Sequence, residues 1–463
     1  MIPLIKGDRQ TNYDYTDNLP VNVTAVARPI KGDTGYFVAH DGLTEFAQTG
    51  GRARGGVFNK RLNKHMRVSG NTLEDIATDG TVTSIGTVSG VGVCAFAESF
   101  NTQAILSDGR MYLYDGFTLT EVTDPELGTP IDIAWFRGIY VMTDGQFLFH
   151  TDLVNESSIS PLKYSSSEFA PDPIVGVMAN DQNQIIAFNR YSTEYFYFNA
   201  NAPVGTSVLQ VIDGKSFSVG IIGRDCKAML DGAVFILGGR QNESPSIHAI
   251  NGGQEQTIAT REIDKVLSTY TESQLATAYM ESRTVDRDKF LIVHLPNHTL
   301  LYNHTIAMKY GVDAAWSYVK SEEDSPWRAK FGVFDPRAAK WIYGDTIENK
   351  LGYLDSQSFA QYGAEQEAII YSPIVPAESV SINQVELDTI PGFATDDIQL
   401  ALSISYDGVT WGQEHWTTIS TKYDYNRRYI VRRLGYVRNN FALRFRFQSA
   451  FKMAFSGLEV DAS

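Results

Sequence analysis

The sequence contains almost no cysteine, no long apolar run and a deficit of positive charge. Only Cys94 and Cys226 occur in 463 residues, too few for a disulfide framework or a thiolate metal site. No stretch approaches the roughly 18 consecutive apolar residues that a membrane-spanning helix needs. The first residues lack an apolar segment followed by a small-residue cleavage site. We therefore expect synthesis in a reducing compartment, no secretion signal and no membrane anchor.

The charge balance and the composition narrow the fold and the partners. Thirty-nine Lys and Arg face 54 Asp and Glu, a net charge of −15, which argues against attraction of the whole chain to DNA or to an anionic membrane. Hydrophobic residues make up 43%, enough to bury a core. With 38 Gly against 16 Pro and 12% aromatic residues, the composition favours strands joined by tight turns.

The body of the chain is predicted to be a β-propeller. Asp108-Gly109 separates two short apolar strands, a pattern typical of a hairpin turn. Buried-looking strands open larger units roughly every 35–50 residues, as the blades of a propeller require. These openings lie near Val57, Val93, Ile131, Ile174, Val219 and Leu275. We predict an N-terminal arm over residues 1–30, then an irregular propeller-like body of about six blades over residues 31–360.

Two segments depart from this pattern. Near residues 260–282, Ile263 and Leu267 stand at helical spacing and Thr271 with Gln274 forms a capping box, which predicts a short helical insertion. Residues 361–463 contain longer alternating strands, which predict a C-terminal β-sandwich. The fold class is therefore all-β, a propeller-like body followed by a sandwich with a basic face.

The sequence gives no pattern of catalytic, cofactor-binding or metal-binding residues. No nucleophile elbow or zinc-protease motif occurs, and the densest histidine cluster, at His294, His298 and His304, lies on predicted strands and a turn. Ser405 to Trp411 approximates the Asp-box turn of sialidase-type propellers, but it occurs once and is one residue shorter. It indicates a structural turn or a sugar-binding element. We expect a protein that is not an enzyme and has no cofactor.

Several short segments, in the same order along the chain, resemble one family. They are Asn18-Leu19-Pro20-Val21-Asn22, Ser192-Thr193-Glu194-Tyr195-Phe196, Ser246-Ile247-His248-Ala249-Ile250, Ser268-Thr269-Tyr270-Thr271, His294-Leu295-Pro296 and Arg432-Arg433-Leu434-Gly435. This order resembles the tail hub, or nozzle, of short-tailed bacteriophages, also called the packaged-DNA stabilisation protein.

The resemblance implies a structural role in the virion, in the phage tail, after assembly in the host cytoplasm. It implies a homo-oligomeric ring, expected to be a hexamer, attached below the portal-adaptor or head-completion protein. Tail needle and tailspike or fibre proteins would be its neighbours. Double-stranded DNA would be held in and would pass through the ring without sequence-specific contacts. The alternative is a propeller-type adsorption protein that binds or cleaves host surface glycans.

The C-terminal segment reverses the charge of the chain. Nine basic residues face three acidic ones from Thr421 to Ser463. Arginine suits bidentate pairing with carboxylates at interfaces, so its arginines form the candidate assembly interface: Arg427, Arg428, Arg432, Arg433, Arg438, Arg444 and Arg446. They would dock on an acidic surface, either the adaptor ring or the body of a neighbouring copy. The alternative is a solvated sandwich face with scattered ion pairs.

Overall fold

A computed structural model describes residues 18–28, 35–153, 155–203, 205–322, 325–390, 397–420 and 428–463. Within these ranges the chain forms 39 strands and three short α-helices. Seven sheets form a propeller, one sheet for each blade, and two more form a C-terminal sandwich. The predicted all-β class, with a propeller-like body and a C-terminal sandwich, is confirmed.

The described chain begins with three strands, of which the second and third pair with strands far along the sequence, and three blades follow. The three strands are β1 (Val23–Val26), β2 (Tyr36–Ala39) and β3 (Gly42–Gln48). Blade 1 contains β4 (Ala53–Asn59), β5 (Lys64–Ser69), β6 (Thr72–Ile76) and β7 (Val82–Thr87). Blade 2 contains β8 (Ala95–Glu98), β9 (Gln103–Ser107), β10 (Arg110–Tyr114) and β11 (Leu119–Glu121). Blade 3 contains β12 (Asp132–Phe136), β13 (Ile139–Thr143), β14 (Phe147–Thr151) and β15 (Ile159–Ser166).

Four more blades follow, the last of them completed by β3. Blade 4 contains β16 (Ile174–Ala179), β17 (Ile185–Asn189), β18 (Thr193–Phe198) and β19 (Leu209–Phe217). Blade 5 contains β20 (Gly220–Ile221), β21 (Lys227–Leu230), β22 (Ala233–Gly239), β23 (Ser246–Asn251) and β24 (Gln254–Thr257). Blade 6 contains β25 (Tyr279–Val285), β26 (Asp288–His294), β27 (Thr299–Asn303) and β28 (Trp316–Tyr318). Blade 7 contains β29 (Ala329–Asp335), β30 (Lys340–Asp345), β31 (Lys350–Asp355) and β3.

Local sequence explains the hairpins and the helices. Asp108 and Gly109 both have positive φ, 46° and 79°, as the two-residue turn predicted between β9 and β10 requires. The helices are α1 (Arg261–Leu267), α2 (Glu272–Leu275) and α3 (His304–Tyr310). The side chain of Thr271 caps α2 and that of Gln274 bonds back, so the predicted capping box is confirmed.

The seven blades form a closed ring. Strands β4, β8, β12, β16, β21 and β25 line a central cavity, and β29 packs against β4 to close the circle. The blade count in the described residues is seven, where the spacing predicted about six. The additional blade is the one that joins the two ends of the body, because β3 pairs antiparallel with β31 about 300 residues away. The predicted opening at Leu275 lies in α2 instead, and β25 begins at Tyr279.

Two arginines cross the seam between blades 1 and 7 in opposite directions. Arg67 of β5 is fully buried, and its Nη2 donates to the carbonyl oxygens of Phe331 and Ile342 in blade 7, the latter at 2.8 Å. Phe331 has a φ of 61° at an irregularity in the β29–β30 register. Arg337 of blade 7 donates to the carbonyl oxygen of Ile76 in blade 1 at 2.8 Å. Burial lowers the pKa of Arg67 to about 10, so the side chain stays charged at neutral pH.

The C-terminal sandwich packs two sheets face to face. Sheet I contains β1, β2, β39 (Ala454–Ala462), β34 (Val380–Ile390) and β37 (Tyr429–Val437), in that order. Sheet II contains β32 (Gln366–Tyr371), β38 (Asn440–Ser449), β35 (Ile398–Ser405) and β36 (His415–Ser420), and β33 (Val375–Pro376) also pairs with β38. Aromatic pairs join the sheets: the ring centroids of Phe447 and Phe455 lie 5.3 Å apart and those of Tyr429 and Phe445 lie 6.4 Å apart.

The N-terminal strands belong to the sandwich by pairing. Strand β2 pairs with β39, and β1 extends the same sheet. They lie in the segments predicted as the N-terminal arm and the start of the propeller body. Their pairing partner is at the other end of the sequence, so no local pattern indicated it.

Val21 and Asn22, the last residues of the Asn18–Asn22 segment, fasten the sandwich to blade 6. Val21 exchanges backbone hydrogen bonds with Ile369 of sheet II, at 2.9 and 3.0 Å. The backbone of Asn22 donates to the carbonyl oxygen of Tyr318 in blade 6 at 2.8 Å. The buried Asn22 side chain donates to the carbonyl oxygen of Glu367 and accepts from the amide of Lys320, both at 2.8 Å. We call this arrangement the clasp.

Replacing Arg67 with methionine tests the seam. We expect Arg67→Met to lower the opening free energy of blade 7 by about 2 kcal/mol, because two buried carbonyl groups lose a donor, and to speed amide exchange over residues 329–345 about 30-fold. Hydrogen exchange followed by mass spectrometry measures this. Exposed Arg52 is the control, and Arg52→Met should stay within about 0.5 kcal/mol of wild type. Unchanged exchange in the Arg67 variant would contradict a stabilising seam.

Two substitutions of Asn22 separate the side-chain bonds of the clasp from its backbone conformation. Asn22→Gly keeps the positive φ of 53° without strain and removes both side-chain bonds, so it should cost about 1–3 kcal/mol. Asn22→Ala should cost about 1 kcal/mol more, because alanine disfavours that φ. Melting temperatures and amide exchange of residues 367–371 report the loss. Wild-type melting of both variants would show that the clasp does not stabilise the junction.

Candidate assembly surface

The six described arginines of the predicted interface lie on two different sheets. Arg428 precedes β37 of sheet I, Arg432 and Arg433 lie within it, and Arg438 follows it. Arg444 and Arg446 lie in β38 of sheet II. Arg427 lies outside the described residues. The structure therefore brings the arginines together as two groups, one at an edge strand and one on the outer face of the opposite sheet.

The sheet II group is neutralised by carboxylates. Strand β38 alternates as predicted, with its phenylalanines buried and Arg444 and Arg446 on the other face. Arg446 donates to both oxygens of Glu414, at 2.9 and 2.7 Å, and to Glu367 at 3.0 Å. Arg444 reaches Glu414 at 3.2 Å. The hydrogen bond from Arg446 holds the pKa of Glu414 below its usual value.

Two tryptophans complete this face of sheet II. The guanidinium of Arg444 lies 5.1 Å from the ring centroid of Trp411, and that of Arg446 lies 5.2 Å from that of Trp416. Such cation–π contacts orient the side chains as well as attract them. Arg444 and Arg446 are thus held in place within one chain, which leaves little of their charge for a partner.

Sequence reasoning missed Glu367, Glu414 and the tryptophans as partners of the arginines. Arg444 and Arg446 stand opposite Ser403 and Ala401 of β35, and these small side chains let the guanidinium groups reach across β35 to Glu414. One pattern in the sequence could have indicated these contacts: Glu414 and Trp416 are two residues apart, as are Arg444 and Arg446, so each pair lies on one face of a strand. The pattern becomes informative only when the order of the strands in the sheet is known.

The four arginines of the sheet I group differ in whether they have an acidic partner. Arg428 forms a bidentate ion pair with Glu386. Arg432 donates to the side-chain oxygen of Gln384 at 3.1 Å. In the part of the chain that the structure describes, Arg432, Arg433 and Arg438 form no ion pair, and all three are exposed. These three arginines, which we call the arginine edge, are the part of the predicted interface that keeps its charge available.

A β-bulge shapes the arginine edge. Gln384 pairs with Arg432 and Ile382 pairs with Gly435, so Arg433 and Leu434 together oppose one residue of β34. Arg433 takes up the irregularity with a φ of 62°. Because a bulge breaks the alternation of a strand, the side chains of Arg432 and Arg433 are both exposed although they are consecutive.

The Asp-box-like turn has its polar groups satisfied locally. Asp407 accepts from the amides of Val409 and Thr410, at 2.9 and 2.7 Å, and from the hydroxyl of Ser405 at 2.9 Å. These bonds, led by the one from Thr410, lower the pKa of Asp407. Trp411 packs 5.6 Å from Tyr371 and beneath Arg444. This geometry is that of a structural turn.

The three clustered histidines do not converge. His294 bonds Glu281 at 2.7 Å and stacks on Trp327, His298 contacts Tyr270, and His304 begins α3. Over the described ranges, no three His, Cys, Asp or Glu side chains are grouped so that they could hold a metal ion. No helix in those ranges has the length and apolarity to cross a membrane.

Comparison with known proteins gives two family matches that meet between blade 7 and sheet II. The family described as bacteriophage P22 Gp10, beta-propeller, matches residues 1–359, and the one described as bacteriophage P22 Gp10, beta-sandwich, matches residues 367–463. The tail hub protein gp10 of Salmonella phage P22 is 28% identical over 487 aligned residues, which cover 99% of this chain and 98% of that protein.

Solved structures also match, at low identity. The Pan2 WD40 domain of Neurospora crassa is 8% identical with a TM-score of 0.44, and the match covers 68% of this chain and 95% of that one. Virginiamycin B lyase of Staphylococcus aureus is 10% identical with a TM-score of 0.44, covering 68% and 98%. Since the two P22 Gp10 models together match nearly the whole length in the order propeller then sandwich, this chain belongs to the bacteriophage P22 Gp10 family.

Proposed function

We propose that this protein is the tail hub of a short-tailed bacteriophage. In this role a hexameric ring attaches below the portal-adaptor, keeps packaged DNA in the head and forms part of the ejection channel. The tail needle and the tailspikes or fibres are its neighbours, and the ring assembles in the host cytoplasm.

The observation that carries the proposal is the full-length match to the tail hub protein gp10 of phage P22. It covers 99% of this chain and 98% of that protein. The family is one of virion structural proteins by the name of that relative, and this supports a role without catalysis. The saturated Asp407 turn gives the alternative, a glycan-binding or glycan-cleaving adsorption protein, no additional support.

The net negative charge of the chain suggests the charge of the surface that would line the ejection channel. Outside the last 43 residues, the sequence carries 30 basic and 51 acidic residues. We propose that the surface facing the DNA is acidic or neutral, because a basic lining would hold phosphates through counterion release and slow ejection. The duplex would then pass without sequence-specific contacts.

A phage with an amber codon in this gene tests the role in the head. We expect heads that fill with DNA and then lose it, because the opening below the adaptor stays unsealed. The measurement is the DNA content of heads separated on a density gradient, with and without nuclease. Supplying the wild-type chain from a plasmid is the control and should restore full, nuclease-resistant heads.

The same experiment separates the two functions. Stable, full heads that merely fail to adsorb would contradict a hub and favour the adsorption protein. Release of oligosaccharide from host lipopolysaccharide by the purified chain would do the same.

A further inference from the structure

Blades 2 and 3 carry an acidic stretch of the propeller. Residues 91–160 contain ten Asp or Glu and only two basic residues, Arg110 and Arg137. Asp132 is buried against Lys227, and Asp108 lies near Arg54. The others belong mainly to loops and outer strands. Blades 2 and 3 together, residues 95–166, also contain Lys163, so they contribute −7 to the net charge of −15.

One rim of these blades combines that charge with exposed apolar side chains. Phe100, Phe117 and Leu153 are 77%, 92% and 58% exposed. They lie in the β8–β9, β10–β11 and β14–β15 turns, which point to the same end because antiparallel strands alternate in direction. A 2.6 Å hydrogen bond from Thr102 to Glu156 ties the turns of the two blades together. Three large apolar side chains on one rim mark a contact surface.

Some carboxylates around the rim are held by backbone amides and others by cations. Glu98 accepts from the amide of Arg61 at 3.1 Å, and Asp115 accepts from the amide of Phe117 at 2.7 Å. Glu121 lies 3.7 Å from the guanidinium of Arg110, and Asp152 pairs with Lys163. The negative charge of Glu98 and Asp115 is thus oriented by neutral donors. Beside them lies a groove along β11, the outer strand of blade 2, whose lining includes Asp115, Glu121 and Asp124. We call the three apolar side chains and this groove the acidic rim.

The arginine edge is complementary to the acidic rim. Residues 428–458 contain seven basic residues and no acidic one. The ones without a carboxylate partner in the described chain are Arg432, Arg433 and Arg438, and the exposed ring of Tyr436 lies among them. Arginine and tyrosine are enriched where protein surfaces bind, and an acidic surface with exposed phenylalanines suits both.

The two surfaces lie on different parts of the molecule. The clasp joins the sandwich to blade 6 through Tyr318, and Leu43 of blade 7 donates to the carbonyl oxygen of Ala360 at 2.9 Å. In the ring, blade 1 stands between blades 7 and 2, and blades 4 and 5 stand between blades 3 and 6. The sandwich that carries the arginine edge is thus attached to blades other than the two that carry the acidic rim. Two different complementary surfaces on one chain generate head-to-tail contacts between copies, which close into a ring when the rotation allows.

We propose that the acidic rim of one copy receives the arginine edge of a second copy of this chain. The exposed phenylalanines pack against the aliphatic parts of the arginines and Tyr436, and the rim carboxylates pair with the guanidinium groups. Charge complementarity sets the register and speeds the encounter. This proposal rests on the proposed ring-forming function and names the two surfaces that build the ring.

Charge reversal on each surface, alone and together, tests the contact. The edge variant is Arg432→Glu with Arg433→Glu, and the rim variant is Glu121→Lys with Glu126→Lys. Glu121 lines the groove, where it pairs with Arg110 of the same blade, and Glu126 is an exposed residue just beyond the groove. Each should reduce the number of chains joined to DNA-filled heads lacking the hub at least tenfold. A chain carrying all four substitutions restores both attractions and should join within twofold of wild type. Phe117→Ser, which leaves all charges in place, should also weaken joining.

The control makes the charge change of the edge variant at a distance from both surfaces. Arg52→Glu with Arg287→Glu alters two exposed arginines of blades 1 and 6 and should join like wild type. All variants are first checked for an unchanged melting temperature. Joining is measured by quantitative gel analysis of heads purified on gradients, and self-association by analytical ultracentrifugation at low and high salt, where salt should weaken it.

The outcomes distinguish the contact from the proposed function. If either reversal variant joins the DNA-filled heads as wild type does, the proposed contact is wrong, whereas the proposed tail hub function is unaffected. Loss with the edge variant but no rescue by the fourfold chain would also overturn it, because the arginines would then face another protein. Wild-type chains that never join heads would overturn the proposed function and the contact with it.

Discussion

Closure of the propeller ring is the constraint on which the other parts of this protein depend. A blade buries its two faces only against its neighbours, so an open ring would expose the apolar faces of blades 1 and 7. The chain closes the ring by pairing β3 with β31 and by sending Arg67 and Arg337 across the seam in opposite directions. Backbone carbonyl groups accept both arginines, so the seam holds without a chain of salt-sensitive surface ion pairs.

The same closing segment also positions the sandwich. Strand β2 ends at Ala39 in sheet I, and β3 begins at Gly42 in blade 7, so two residues connect the two domains. The clasp at Asn22 holds sheet II against blade 6 from the other side. The apolar core is continuous from Trp316 of blade 6 to the phenylalanines of β38. The arginine edge is therefore carried on a rigid body, at a fixed distance from the acidic rim of the same chain.

Local features of the fold could be predicted from the sequence, and long-range pairings could not. The Asp108-Gly109 turn, the capping box at Thr271 and the alternation of Phe441–Phe447 depend on neighbouring residues, and all three are confirmed. The seventh blade and the N-terminal strands depend on partners hundreds of residues away. The C-terminal arginines combine a local and a long-range feature. Their number in this segment is evident from the sequence. Which of them have a carboxylate partner is not, because the order of the strands brings Glu414 and Glu367 to Arg446.

The pairing of the first strands with the last has a consequence for biosynthesis. Strands β1 and β2 complete sheet I only with β39, more than 400 residues later in the chain. The ribosome must therefore synthesise all seven blades before β2 can find its partner, while the blades between them can form in order as they emerge. A translation product that stops before β39 lacks the strand with which β2 pairs. The connectivity thus makes folding of the first strands depend on translation through β39.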